Sequence, residues 1–462
     1  MDVLLATPDR VYAGVRHVLR SRGMLGNGTL GAVLMVGAIN LTAQAIGAGK
    51  DVLVAAQFGI SAGLDAFLIA LMVIVLVTNT VAAAFGEAFL PVFVRVRELD
   101  GHVAAQAILA SATSVGLAVM VLLSVVLALV RWWLIPVVAP GFDASKIELT
   151  GELLLVLLPV LALSGLTTTW AAALSAVGRF GVVAIAPALA PIATVVLLLA
   201  QGSHWGVFAM AAGLLLGKLV EVVLLGWRLR REDLTCRPRW PGFSPEMRRV
   251  LQQGGPLIMA SFLATGTSAI DQFMATGVGS GAVSTLSYGT KVPALITGVS
   301  NFALTTALFP LFARMVATSD WAGARRRLSI YSGWIWLLVA LCAGLLIWGS
   351  QWLVELLFQR GSFTASDSLA VSQVQILALL QLPFHAAAIV SVRLLSALGR
   401  NELLMLVAFI QVPVDAIGNY VLMKYFGVSG IALSSTLVFT MSSIVLLYLS
   451  YSELSARGHP SA

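Results

Sequence analysis

Four charged side chains stand at mid-sequence within long apolar stretches of this chain: Lys50, Asp51, Asp271 and Lys291. A charge at the centre of a bilayer costs roughly 2.5–3.5 kcal/mol on insertion scales, so such residues are expected to face a partner or a polar cavity. Two lysines can hold a phosphate or diphosphate as point charges. Two aspartates can hold or neutralise those lysines while no anion is bound. Glu87, Arg393 and Asp415 also fall within apolar stretches, and Arg393 and Asp415 could pair with each other. Lys218 and Glu221 lie near the end of one stretch and read as residues reaching for an interface or paired for packing.

No other chemistry is legible. There is no Ser/His/Asp arrangement, and Cys236 and Cys342 form neither a disulfide framework nor a metal cluster. His385 stands alone on an apolar stretch and reads as a core residue. Gly49-Lys50 is not a phosphate-cradling loop, because that motif needs glycine where Gln44 stands and Ser or Thr where Asp51 stands. The expectation is a non-enzyme with no cofactor and no nucleotide site to drive it.

The elements that position these charges follow from composition. Only 11% of the 462 residues are charged, against about 25% in a soluble domain. Apolar stretches near the ~20 residues that cross a bilayer as helix recur throughout. The fold expected is an all-α polytopic membrane protein of twelve spans: about 30–58, 65–94, 104–137, 149–175, 181–201, 204–227, 255–277, 282–313, 328–357, 367–394, 402–424 and 428–451. The basic segment 1–29 carries Arg10, Arg16, Arg20 and Arg22 and no signal-peptide pattern, and Val11, Val15, Val18 and Leu19 share a face suited to the membrane surface.

Of the 28 Lys and Arg, 20 fall in the N-terminal segment, alternate loops and the tail, and four (Arg131, Lys146, Arg360, Lys424) in the intervening loops. The positive-inside rule places both termini in the cytoplasm. This distribution accounts for the net charge of +7 and leaves no role for nucleic acid.

The chain also repeats itself. Phe142-Asp-Ala-Ser145 returns as Phe363-Thr-Ala-Ser366, Leu174-Ser-Ala-Val-Gly-Arg179 as Leu395-Ser-Ala-Leu-Gly-Arg400, and Gly206-Val207 as Gly427-Val428, all at an offset of 221. Pro91-Val-Phe-Val-Arg95 matches Pro310-Leu-Phe-Ala-Arg314 at 219, and Asp51 matches Asp271 at 220. Two six-helix halves, 30–228 and 255–452, are expected, related by an axis along the membrane normal. A basic cytoplasmic linker, 229–254, joins them, and 453–462 is a cytoplasmic tail. Ser244-Pro245 reads as a helix cap with a first-turn proline. Gly47 and Gly49 are expected to loosen the helix before Lys50, as in the broken helices of transport sites.

Asp51-x3-Ala55-x2-Phe58-Gly59, Asp65-Ala66-Phe67, Ala88-Phe89-Leu90-Pro91-Val92-Phe93, Tyr288-x2-Lys291 and Ala307-Leu-Phe-Pro310 together resemble the MurJ (MviN) flippases. So does Leu357-Phe-Gln-Arg-Gly-Ser-Phe-Thr-Ala-Ser-Asp367, similar to the family's LF-x-RG-x-FT-x-x-D signature. The resemblance covers about residues 35–450. It implies the multidrug/oligosaccharidyl-lipid/polysaccharide transporter fold, two halves rocking about a central cationic cavity, and a polyprenyl-diphosphate-linked sugar, typically lipid II, in the bacterial inner membrane. A monovalent cation or the membrane potential would drive it. Substrate-binding residues expected on this basis are Gln44, Lys50, Asp51, Asp65, Asp271 and Lys291, with Gly47, Gly49, Pro91, Pro310 and Arg360 in structural or gating roles. The sequence departs from the family's usual fourteen spans and has Gln44, Lys50 and Lys291 where the pattern has arginines, with Ala294 where it has a glutamate. A cation-coupled multidrug exporter of the same plan is the alternative. A non-transporting scaffold is disfavoured by intramembrane charge in both halves.

Overall fold

The computed structural model describes residues 27–235, 237–239, 242 and 244–458. The N-terminal arginines and their apolar face, Cys236 and the last four residues therefore lie outside the described residues. Every regular element among those described is helical. In chain order the first half comprises α1 (Asn27–Phe58), α2 (Ala62–Leu99), α3 (Gly101–Val138), α4 (Ala144–Ala176), α5 (180–205) and α6 (Val207–Arg231). The second comprises α7 (Pro245–Thr276), α8 (Ala282–Ala317), α9 (Trp321–Trp348), the short α10 (Ser350–Phe358), α11 (Ala365–Ala397), α12 (Asn401–Phe426) and α13 (Val428–Gly458). Ten of these are long and apolar enough to cross a membrane. The rods α1 and α7, also expected as spans, are not among the ten. They carry Asn40, Gln44, Lys50 and Asp51, and Thr267, Ser268, Asp271 and Gln272, the polar groups of the interior.

Ser244 caps α7 by accepting from Met247 N at 3.2 Å, with Pro245 in the first turn. Residues 245–254, within the expected linker, are helical, as the cap and the amphipathic Met247–Leu251 stretch implied, and Met247 and Val250 are buried against the first half. The repeated motifs are repeated backbone devices. Arg179 N and Arg400 N each bond the carbonyl five residues back at 2.9 Å, with Gly178 and Gly399 at φ 78° and 75°. A left-handed glycine is what this helix-ending turn demands. The two arginines then pair with Glu232 at 2.8 Å and Glu453 at 2.9 Å, again 221 residues apart. Asp143 and Thr364 cap α4 and α11 in the same way. The Asp143 carboxyl is held below its usual range by the Lys146 amide and the Ser145 hydroxyl that donate to it.

Hydrophobic packing is unequal at the two ends of the molecule. At the end opposite the basic loops, one core joins both halves, running from Phe67 and Leu157 to Tyr288, Phe358 and Phe363. At the basic end the cores are separate. One gathers α2–α6 with the start of α7, and the other gathers α8, α9, α11, α12 and α13. The helices are thus tied together at one end and form two bodies at the other. The outer surface is apolar, with Trp132, Trp133, Trp348 and Trp352 exposed on α3, α9 and α10, and Arg131 lies over Trp132 at 4.6 Å. Exposed aromatics of this kind suit the headgroup level of a bilayer.

Two helices break where proline removes a donor. Pro293 cannot donate to the carbonyl of Gly289, and α8 resets at Thr290, immediately before Lys291. Pro383 cannot donate to Leu379, and α11 resets at Leu380–Gln381. By contrast α1 runs unbroken through Gly47 and Gly49, so the expected loosening there is not observed. Pro91 and Pro310 sit inside regular helix. In α2 a π-helical turn, Thr78–Ala82, precedes the segment bearing Pro91.

Candidate functional site

Lys50 and Asp51 project from α1, and Lys291 from the first turn after the break in α8. The Asp51 carboxylate bridges the two lysines, its Oδ1 at 2.8 Å from Lys50 Nζ and its Oδ2 at 2.9 Å from Lys291 Nζ. Adjacent side chains on a helix diverge by about 100°, which argues against a Lys50–Asp51 contact. The long lysine stem spans the divergence. The bridge joins the two halves and remains partly accessible, Lys291 at 35% and Lys50 at 22%. Two cations sharing one carboxylate leave a net positive charge, which is the electrostatic basis for receiving an anion.

Lys291 opens onto a cavity of about 680 Å³ that continues to Asp271, Gln381, His385, Gln411 and Asp415. Gln44 lines a neighbouring cavity of about 710 Å³ with Asn40 and Phe302, and the two cavities share Gly298. Sequence reasoning placed Asp271 with the lysines. Instead, Asn419 Nδ2 donates to it at 2.7 Å and Ser435 Oγ at 3.3 Å, and Asn419 also reaches Asp415 at 3.4 Å. Asp271 and Asp415 thus form an acidic pocket in the wall of the same cavity, bonded to Asn419 and Ser435 and to neither lysine. Asp415 does not pair with Arg393, whose guanidinium donates to Asn301 at 3.2 Å. Lys218 and Glu221 pair at 3.1 Å, as their position suggested.

Asp65 is fully buried, and both its oxygens are taken by backbone amides at the start of α8: Gly281 N at 2.6 Å and Ser284 N at 2.8 Å. It fastens one half to the other, away from the expected substrate role. The signature loop at 357–367 does the same. Ser362 N donates to Ala56 O at 2.8 Å and Ser362 Oγ to Gln57 O at 3.1 Å. Phe358 and Phe363 pack on Tyr288 with ring centroids 5.2 and 5.5 Å apart. Arg360 bonds its own turn at Leu356 O, 2.8 Å, so the cross-half contacts come from its neighbours Gly361 and Ser362. Gly361 (φ 58°) leaves no room for a side chain, since a Cβ there would stand 2.2 Å from Ala56 O. At Gly141, 220 residues earlier, a Cβ would stand 2.0 Å from Thr276 O, the counterpart of Ala56.

The missed contributors are Ser284, Gly281 and Asn419, whose roles arise only when the halves meet. The signal available for them was the offset itself, which sets Gly59–Ser61 against Gly281 and its neighbours.

Two helical bodies around a charged central cavity, closed at one end, define a membrane transporter of the multidrug/oligosaccharidyl-lipid/polysaccharide fold. The structure is similar to that of a lipid II flippase MurJ in its inward closed conformation, with a TM-score of 0.77 at 18% identity, covering 92% of this chain and 90% of that one. It is also similar to an inward-facing multidrug resistance MATE transporter, with a TM-score of 0.72 at 16% identity, covering 93% and 100%. The family model described as lipid II flippase MurJ matches residues 54–460, and the chain belongs to that family. A Rhizobium meliloti relative described as "Probable lipid II flippase MurJ" is 26% identical over 446 residues, 92% of this chain and 80% of that protein. A Burkholderia cenocepacia relative, "Lipid II flippase MurJ", is 26% identical over 298 residues, 63% of this chain. The matched stretch spans 66% of a Rhizobium tropici relative and 58% of the Burkholderia protein.

Proposed function

We propose that this chain moves an undecaprenyl-diphosphate-linked glycan, lipid II or a related cell-wall or surface-polysaccharide precursor, from the cytoplasmic to the outer leaflet of the bacterial inner membrane. The observation that carries the reading is the Lys50–Asp51–Lys291 bridge, which sets one lysine from each half around a single carboxylate. In this reading the diphosphate takes the place of Asp51 between the lysines. An anion held by both halves stabilises the arrangement that brings their basic ends together, and a ligand shifts an equilibrium by as much as it prefers one state. The flippase names of the relatives support the substrate class. The thinned arginines leave lysines as point-charge ligands, without the bidentate fork that would fix a diphosphate's orientation.

The reading sets the basic end at the cytoplasm, so the separate cores there correspond to an inward-facing cavity. The acidic pocket supports coupling to a monovalent cation. Asp271, Asp415 and the buried, unpartnered Asn419 Oδ1 present three oxygen ligands. Membrane potential alone is the other driver. The same pocket favours a second reading, export of a cationic drug, and drug efflux dependent on Asp51 would replace the first.

The test is complementation. In a strain depleted of its lipid II flippase, the chain is expected to restore growth and outer-leaflet display of the precursor. Failure to rescue, with loss of an exopolysaccharide on deletion in the native host, would move the headgroup to the polysaccharide branch. Topology is tested separately with Cys236, which lies in the basic linker. In a Cys342→Ala background it is expected to react with an impermeant maleimide only after the membrane is opened, and labelling of intact cells would reverse the orientation.

A further inference from the structure

We infer that the wall of the cavity contributed by the second half is a subsite for an uncharged sugar ring, built on Gln381, His385, Gln411 and Phe439. The inference rests on the transport of a diphosphate-linked glycan argued above. It names the part of the headgroup that this wall reads.

The reset of α11 starts a new helical segment at Leu382, with Gln381 as its cap. Gln381 and His385 are four residues apart and so lie on one face, and the His385 amide donates to Gln381 O at 2.9 Å. Both side chains line the cavity, and each ends in a buried polar atom without a partner: Gln381 Oε1 and His385 Nε2. Buried polar atoms without partners are rare, because leaving them unsatisfied costs free energy. Two on adjacent turns, both facing one cavity, point to a ligand that completes them. His385 is therefore not the satisfied core residue that its isolation in the sequence suggested. The Phe439 ring holds the imidazole edge-on at 5.0 Å, and Gln411 is fixed by donating to Ser442 Oγ at 2.5 Å.

The chemistry of this wall is amide, imidazole and aromatic, with no charge of its own. A sugar hydroxyl both donates and accepts, so one or two of them can satisfy an amide oxygen and an imidazole nitrogen together. The apolar face of a ring packs on an aromatic such as Phe439. Lys291, on the near side of the same cavity, takes the phosphates, which sets the first sugar against this wall. Asp271 and Asp415 line the same cavity and repel an acidic sugar. The volume, about 680 Å³, falls within the roughly 300–1,000 Å³ of small-ligand sites.

The experiment uses the full chain in nanodiscs and two probes: undecaprenyl diphosphate, and the same lipid carrying one N-acetylhexosamine. Wild-type protein is expected to bind the glycolipid about tenfold more tightly than the bare lipid, the effect of roughly two hydrogen bonds. His385→Ala and Gln381→Ala should each erase most of that difference while leaving bare-lipid affinity unchanged. His385→Gln, which keeps a donor and an acceptor, should retain part of it. Lys291→Ala should weaken both probes. Equal wild-type affinity for the two probes, or a His385→Ala variant that loses both equally, would overturn the subsite while leaving the transport reading in place. Wild-type protein that binds neither probe would overturn both.

Discussion

Transport by the Lys50→Ala/Lys291→Ala double variant is expected to fall at least about a hundredfold, because a hydrogen bond to a charged group contributes about 1.5–3 kcal/mol and two are removed. Transport is read as movement of a labelled undecaprenyl-diphosphate glycan in proteoliposomes, normalised to inserted protein. The geometry makes a control necessary. With both lysines gone, Asp51 is left between the halves with no cation, and removing one side of a buried pair is strongly destabilising by itself. The triple variant that also carries Asp51→Ala separates the two effects. It should insert normally and still fail to transport. Lys→Arg at both positions should preserve most activity, since charge and reach are kept. Wild-type transport by the triple variant would reduce the bridge to a structural tie.

The second large effect is expected at the closed end. Gly361→Val places a branched side chain at φ 58°, where its Cβ would stand 2.2 Å from Ala56 O. The left-handed backbone alone costs roughly 1–2 kcal/mol for a residue with a side chain, and the clash adds to it. Closure of this end should weaken by at least about tenfold. Labelling of a Ser284→Cys probe from that side should rise by a similar factor, since Ser284 is fully buried at this end, its amide donating to Asp65 at 2.8 Å. Transport should fall because the empty carrier no longer seals. Asp65→Ala, which strips the acceptor from two α8 amides, should act in the same direction. Unchanged labelling with normal transport in both variants would show that these contacts do not gate.

What the sequence disclosed divides along a physical line. Caps and apolar stretches are requirements of the local backbone and of the solvent, so Ser244 and the long spans were legible, whereas Gly178 and Gly399 were read only as part of a repeat. The meeting of Lys50 with Lys291 was expected from their places in the two halves, and the carboxylate bridging them came from the same stretch. Asp65 was misplaced, and Asp271, which does line the cavity of Lys291, was given the wrong partner, because an aspartate's partner is chosen by helices far away in sequence. Asn419, Gly281 and Ser284 have no unusual neighbours along the chain. The helix breaks were readable yet assigned to the wrong residues: Gly47 and Gly49 are tolerated within a helix, whereas Pro293 and Pro383 each remove a specific donor.

The contacts of Gly361 with Ala56 and of Gly141 with Thr276 are the same contact made twice, with the partners exchanged between halves. That reciprocity is the property of an isologous interface, in which one patch meets its own copy across a two-fold axis. Away from the seam the halves differ: lysine at 50, amide and imidazole at 381 and 385, and the acidic pair at 271 and 415. The seam itself is constrained from both sides. A residue altered in one loop disturbs one of two fastenings, and the Gly361 loop, with its added bonds from Ser362 to Ala56 and Gln57, is expected to be the more sensitive.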